Sequence, residues 1–133
     1  DREFEITPVN TGNPHGVIFL EEPVETFDLA KYGPVLECHP MFPKKANIEF
    51  VNVLARDRLR MRVWERGSGI TLACGTGSCA SLVAANINGL CERKATIVLD
   101  GGELVDEWDE ETNHVFMTGP ATVVFDGEYT LIK

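Results

Sequence analysis

Apolar residues recur along this chain with two periods, and the places where one gives way to the other divide it into elements. Alternation of period two marks strands at residues 4–10 (FEITPVN) and 16–20 (GVIFL), joined by a tight turn over Thr11–His15 that holds Gly12 and Pro14. Two longer strands follow at 46–54 (ANIEFVNVL) and 58–65 (RLRMRVWE), with a turn at Ala55–Asp57 between them. The second alternates cleanly, with Leu59, Met61 and Val63 on one face and Arg58, Arg60 and Arg62 on the other. That pattern predicts a half-buried antiparallel strand whose arginines face water. Further strands are expected at 94–99 (KATIVL), 103–108 (ELVDEW), 114–118 (HVFMT) and 121–125 (ATVVF), the first two joined by a hairpin turn at Asp100-Gly101-Gly102.

Helical spacing shows twice. A short helix, TFDLAKY, is expected behind an N-cap at Thr26, with Gly33 and Pro34 stopping it. A longer one is expected from Thr76 to Asn88, where Cys79, Leu82, Val83, Asn86, Ile87 and Leu90 share a face and Ala80, Ala84 and Ala85 fill other sides. Gly89 is placed to end it. A helix with almost no charge and so many small residues predicts close enclosure by sheet. The expected architecture is a single α+β domain over residues 1–133: a mostly antiparallel sheet wrapped around a central buried helix, plus one short helix.

Composition narrows the function. The chain has 133 residues, of which 44% are hydrophobic, and a formal net charge of −9. That is enough for one globular domain burying roughly two thirds of its unfolded surface, and it argues against intrinsic disorder. The scattered basic residues argue against a nucleic-acid or anionic-membrane surface, since phosphate binding requires local positive charge. No apolar run approaches the ~18 residues of a membrane span. The chain opens on Asp1 and its first methionine is Met41, so it is expected to be an excised part of something longer. Its cysteines, Cys38, Cys74, Cys79 and Cys91, form no C-x-x-C pair, and the three histidines lie far apart, so no metal site is expected. Free thiols in a chain that needs no staples point to a reducing, cytoplasmic compartment.

The glycine-rich stretch 66–78 (RGSGITLACGTGS) concentrates the chemistry. Cys74 precedes Gly75, Thr76 and Gly77 at the point where the long helix begins. Unpaired N–H groups and the helix dipole make such a place a cradle for a carboxylate or phosphate. The same field should depress the pKa of a thiol held there. A nucleotide-type phosphate loop is disfavoured, because no lysine follows the last glycine and no G-x-G-x-x-G fits. A Cys74–Cys79 redox pair lacks the usual spacing. Between a catalytic thiol and a structural buried cysteine, spacing alone leaves both open.

Asn13-Pro14-His15, then FPKKANIEFV, then ERG-x-G-x-TLACGTG-x-CA, then MTGPA, in this order, resemble the C-terminal half of diaminopimelate epimerase from about Thr7 to Gly127. The proline racemases and phenazine-type isomerases are a less close group that shares the architecture. The resemblance implies a diaminopimelate-epimerase-like lobe, one of two α/β lobes that close on a small amino-acid substrate, with no pyridoxal phosphate, metal or other cofactor. It implies inversion of the α-carbon of LL-diaminopimelate to the meso form, a step of lysine and peptidoglycan precursor biosynthesis, by two thiols, one per lobe. Mapped by motif, Cys74 is the thiol of this lobe and the N–H groups of Gly75 and Thr76 hold the α-carboxylate. Glu65 meets a substrate ammonium and influences the Cys74 proton, while Arg66 pairs with the distal carboxylate. Asn13 and Asn47 contact the distal end, His15 reaches and tunes the opposing thiol, and Phe125 stands at a homodimer contact. Ile70 departs from the family pattern, which generally has glutamate there. The first lobe, with its own cysteine loop, is expected as a missing partner, and the isolated lobe is expected to be inactive. Two alternatives stand beside this reading: a cofactor-independent racemase of another amino acid, and a non-catalytic binding module on the same fold.

Overall fold

The computed structural model describes residues 2–133. Its elements are β1 (Thr7–Asn10), β2 (Pro14–Phe19), α1 (Leu29–Glu37), β3 (Asn47–Ala55), β4 (Arg58–Glu65), β5 (Gly69–Thr71), α2 (Gly75–Ile87), β6 (Lys94–Leu99), β7 (Gly102–Trp108) and β8 (Val115–Thr118). They build one curled sheet in the order β1-β2-β3-β4-β6-β7-β8, with β5 pairing to β4 off this path. Most pairs are antiparallel hairpins. The two exceptions, β2 with β3 and β4 with β6, run parallel. Parallel neighbours require a crossover connection, and the two helices lie in those crossovers, α1 between β2 and β3 and α2 between β4 and β6.

Each central strand divides its side chains between two apolar clusters. Val17, Val51, Leu59, Met61, Val63 and Ile97 pack with Ala80, Leu82, Ala84 and Ala85 of α2. Ile18, Ile48 and Phe50 turn to the opposite face, where Phe27, Leu29 and Trp64 join them under α1. Helix α2 touches every strand of the main path, so the sheet curls around it. This is the α+β enclosure that the uncharged helix predicts. Its buried residues are mainly small: Gly77, Ser78, Ala80, Ser81, Ala84 and Ala85, with Leu82. The larger Ile87, expected on the buried face, is 62% exposed. Small side chains bring the helix axis close to the sheet.

Five expectations change. The first helix is capped by Asp28, whose carboxylate accepts from the Lys31 amide at 3.1 Å, and not by Thr26. It also runs through Gly33 and Pro34 to Glu37. Local punctuation loses there to packing, because Gly33 lies flat against the Trp64 indole. Two of the three β4 arginines are not solvated: Arg60 and Arg62 side chains are only 12% and 17% exposed and share Asp100, while Arg58 remains open to water. Arg60 also donates to the Val98 carbonyl at 3.2 Å and Arg62 to the Val24 carbonyl at 3.1 Å, which ties β4 to its neighbours. Residues 69–71 add a short strand inside the glycine-rich stretch. Residues 121–125 form none: from Gly119 to Lys133 the backbone pairs with no strand and every residue is exposed. Alternation is necessary for a strand but not sufficient, since a partner edge must accept it.

A methyl group at Gly33 would lie 2.4 Å from Trp64 Cγ and 2.6 Å from Cδ2. Gly33→Ala is expected to destabilise the fold by about 1–3 kcal/mol through overpacking, despite alanine's better helix propensity. Urea unfolding monitored by Trp fluorescence measures this, and an unchanged or raised midpoint contradicts the packing account.

Candidate active site

At Cys74 an extended backbone (φ −151°, ψ 106°) turns into α2, and the thiol is the N-cap side chain. The first helical bond runs from the Ser78 N–H to the Cys74 carbonyl at 2.9 Å, which leaves the amides of residues 75–77 ahead of it without helical acceptors. Cys74 makes no side-chain cap bond and no disulfide. It is 9% exposed and lines an open cavity of about 980 Å³ together with Glu65, Gly75, Thr76 and Cys79. Glycine is required beside it by crowding. A Cβ on Gly77 would stand 2.8 Å from Glu49 Oε1 and 3.1 Å from Cys74 Sγ.

The expected depression of the thiol pKa is not what this environment produces. Burial pushes the Cys74 thiol up, the Gly77 amide and the Thr76 hydroxyl pull it down, and the Glu65 and Glu49 carboxyls push it up again. Helix-end effects are short-ranged, and here burial outweighs them. Cys79, half-buried on the same cavity wall, is pushed up to about 11 by burial and then by Asp106.

The other motif residues fall into two groups around this thiol. Asn13, on the turn side of β2, donates from Nδ2 to Thr76 Oγ1 at 3.3 Å. Asn13 and Arg66 also line a second, adjacent cavity of about 420 Å³, and Asn10 lies on the walls of both. Arg66 is exposed; its guanidinium donates to the Lys44 carbonyl at 3.2 Å, and it pairs with no carboxylate among the described residues. Asn47 is buried and engages backbone with both amide atoms: Oδ1 accepts from the Arg66 N–H at 2.7 Å and Nδ2 donates to the Pro14 carbonyl at 3.4 Å. His15 is 1% exposed with both ring nitrogens engaged inside this lobe. Burial, reinforced by the nearby Arg66 cation and opposed by Glu65, lowers its pKa to about 4, so the ring is neutral at pH 7. Ile70 pairs opposite Trp64 on β5, and Phe125 lies in the exposed stretch after β8.

Two carboxyls with no exposed surface escaped the sequence reading. Glu49 projects inward from β3 and meets His15 Nδ1 at 2.6 Å, and burial raises its pKa well above the usual carboxylate range. Asp106 projects inward from β7 and meets Ser78 Oγ at 2.6 Å. Their signal was parity: each stands at an inward position of an alternating strand. Among the described residues no group of His, Cys, Asp or Glu side chains comes together that could hold a metal ion.

The profile of the family described as diaminopimelate epimerase matches residues 7–124. The diaminopimelate epimerase of Acetivibrio thermocellus is 58% identical over 130 residues, which are 98% of this chain and 46% of that protein. That of Methanococcus maripaludis is 54% identical over 125 residues, 94% of this chain and 45% of the relative. The chain thus spans about half the length of the curated relatives it matches. Among solved structures, a phenazine biosynthesis protein of the PhzF family from Bacillus anthracis superposes with a TM-score of 0.57 at 21% identity, over 86% of this chain and 38% of that one. A likeness at that identity speaks for the fold alone.

The Asp106 carboxyl carries a consequence for stability. Burial raises its pKa to about 6 from an ordinary 3.8, and its Oδ1 has no hydrogen-bond partner. The folded state therefore holds this proton more tightly than the unfolded chain, so stability falls as pH rises from about 4 to about 6. Asp106→Asn removes that proton while keeping the shape. The variant is expected to gain on the order of 2 kcal/mol over the parent between pH 4 and 7.5. Urea unfolding at both pH values checks it, and a difference independent of pH contradicts it. His15 has the opposite sign, its contribution being lost as pH falls from 6.5 towards 4, and it cancels because both proteins carry it.

Proposed function

The chain belongs to the diaminopimelate epimerase family, and from that premise we propose that it forms one lobe of an enzyme inverting the α-carbon of LL-diaminopimelate to the meso form. The observation that carries this reading is a free Cys74 thiol at the mouth of a helix, on the wall of an open cavity, beside unpaired amides. In one direction the Cys74 thiolate takes the α-proton: the C–H bond breaks, an S–H bond forms and the electron pair passes to the α-carboxylate. The amides of Gly75 and Thr76, with the positive end of α2 behind them, stabilise the charge that develops there. A second, protonated thiol, supplied by a complementary lobe, returns a proton to the opposite face, and the roles exchange in the reverse direction.

Glu65, on the same cavity wall, receives the substrate ammonium. Arg66, exposed beside the adjacent cavity and with no carboxylate of its own among the described residues, takes the distal carboxylate as a planar bidentate fork. Asn13 stands between the two cavities, and Asn47 seats the Arg66 backbone. A buried thiol with a raised pKa suits this scheme. It stays protonated until substrate and the second lobe complete the site, and it can therefore serve as acid in one direction and, once deprotonated, as base in the other.

In the complete two-lobed protein, Cys74→Ala is expected to lower deuterium incorporation at the substrate α-carbon by about a thousandfold. Retention of most of the exchange overturns the assignment. Arg66→Leu is expected to raise KM for diaminopimelate by about 10- to 100-fold, from loss of a charged hydrogen-bonded partner. The 133-residue chain alone is expected to give no turnover, because one face of the carbon then has no proton carrier.

A further inference from the structure

Glu49 is a buried carboxyl with no exposed surface, and the reading above leaves it idle. Its surroundings are specific. Oε1 meets His15 Nδ1 at 2.6 Å, and His15 Nε2 meets Asn13 Oδ1 at 3.1 Å. Asn13 Nδ2 donates to Thr76 Oγ1 at 3.3 Å, and Thr76 Oγ1 lies 3.8 Å from Cys74 Sγ. Four contacts thus join a carboxyl beneath the helix to the thiol at its mouth.

The direction of these bonds follows from which atoms can donate. Asn13 Oδ1 is an acceptor only, and it already accepts from Thr11 Oγ1 at 3.0 Å. His15 Nε2 must then carry a hydrogen. A neutral imidazole with Nε2–H has a bare Nδ1, so the 2.6 Å contact closes only if Glu49 brings the proton. The alternative, imidazolium with carboxylate, would place two ions in a site with no solvent contact. It would also leave an anionic oxygen bare, because Glu49 Oε2 has no hydrogen-bond partner. An unpartnered oxygen costs far less as the carbonyl of an acid than as half of a carboxylate. Downstream, Thr76 Oγ1 accepts from Asn13, which frees its own hydrogen to point at sulfur.

We infer that Glu49 is a positioning residue, held as a neutral acid, whose proton fixes His15 as the Nε2–H tautomer and gives the series Glu49, His15, Asn13, Thr76 one direction ending on the Cys74 sulfur. Bonds aligned in this way polarise one another, so the Thr76 hydroxyl becomes a better donor to a thiolate. Burial, which raises the Glu49 pKa and lowers that of His15, acts in the same sense. The other charged groups facing the pair are Glu65 and Arg66 at the end of β4, and Cys74 faces it from α2. The structural part of the inference stands by itself; its catalytic consequence rests on the proposed epimerase chemistry.

The test separates the two. On the 133-residue chain, long-range ¹H–¹⁵N spectra of His15 read the tautomer. Peptide-resolved iodoacetamide labelling against pH reads the Cys74 thiol. The parent is expected to show neutral Nε2–H from pH 5.5 to 8. Glu49→Gln, whose amide can still donate to Nδ1, is expected to keep that tautomer and the labelling profile. Glu49→Leu is expected to lose it and to label Cys74 about three- to tenfold more slowly at pH 8. In the complete protein, Glu49→Leu is expected to lower kcat with KM within about twofold, and Glu49→Gln to restore it. An Nδ1–H ring or an imidazolium at pH 7 in the parent overturns the inference, as does Glu49→Gln switching the ring. Should Glu49→Leu fail to fold, the parent and Glu49→Gln spectra still decide. A normal tautomer and labelling response in an enzyme that ignores diaminopimelate would refute the substrate reading and leave the Glu49 role intact.

Discussion

The close seating of α2 on the sheet is the constraint from which the rest of this molecule follows. Gly77 has no room for a side chain because Glu49 and Cys74 crowd its Cα. The small residues that continue along the helix let the curled sheet close around it. That approach buries Cys74 at the helix mouth, on a cavity wall and beside the Gly77 amide. It also holds Thr76 within reach of Asn13, which arrives from a different strand. A larger side chain at position 77 would lift the helix and part the thiol from its neighbours together.

Burial at this seam acts in one electrostatic sense on each group it reaches. It removes water from the thiol, which favours the S–H form, and it removes water from Glu49 and His15, which favours the neutral pair. Few of the ions in this part of the structure are permanent. Arg66 and Glu65 stay near the surface, where solvent can answer them, while burial holds Glu49 and His15 towards their neutral forms. The helix terminus then supplies directed partial charge without a fixed counter-ion. Such an arrangement suits the proposed passage of a proton from sulfur and back.

Much of this was legible in the chain. The strands at 58–65 and 94–99 and the helix beginning beside Cys74 sit where period and capping put them, because each is both locally favourable and packed. What was missed had tertiary causes. Pro34 reads as a stop, yet α1 continues because Trp64 receives Gly33. Arg60 and Arg62 read as a wet face, yet Asp100, Glu25 and several carbonyls cover them. Residues 121–125 have strand rhythm but no edge to join. Glu49 and Asp106 stand at inward positions that alternation identifies, but only the placement of α2 says which face is inward. The thiol pKa was misjudged for a related reason: a helix start is visible in the sequence, whereas the depth at which it is buried is not.

The parallel seam between β2 and β3 has a temporal meaning. Asn13 and His15 come from one side of it, Asn47 and Glu49 from the other, and the whole of residues 20–46 must be looped out before they meet. Closures of that span are slow compared with hairpins and helical turns. The sulfur of Cys74 therefore acquires its neighbours only when segments far apart in the chain have come together, and until then it is one more ordinary thiol among four.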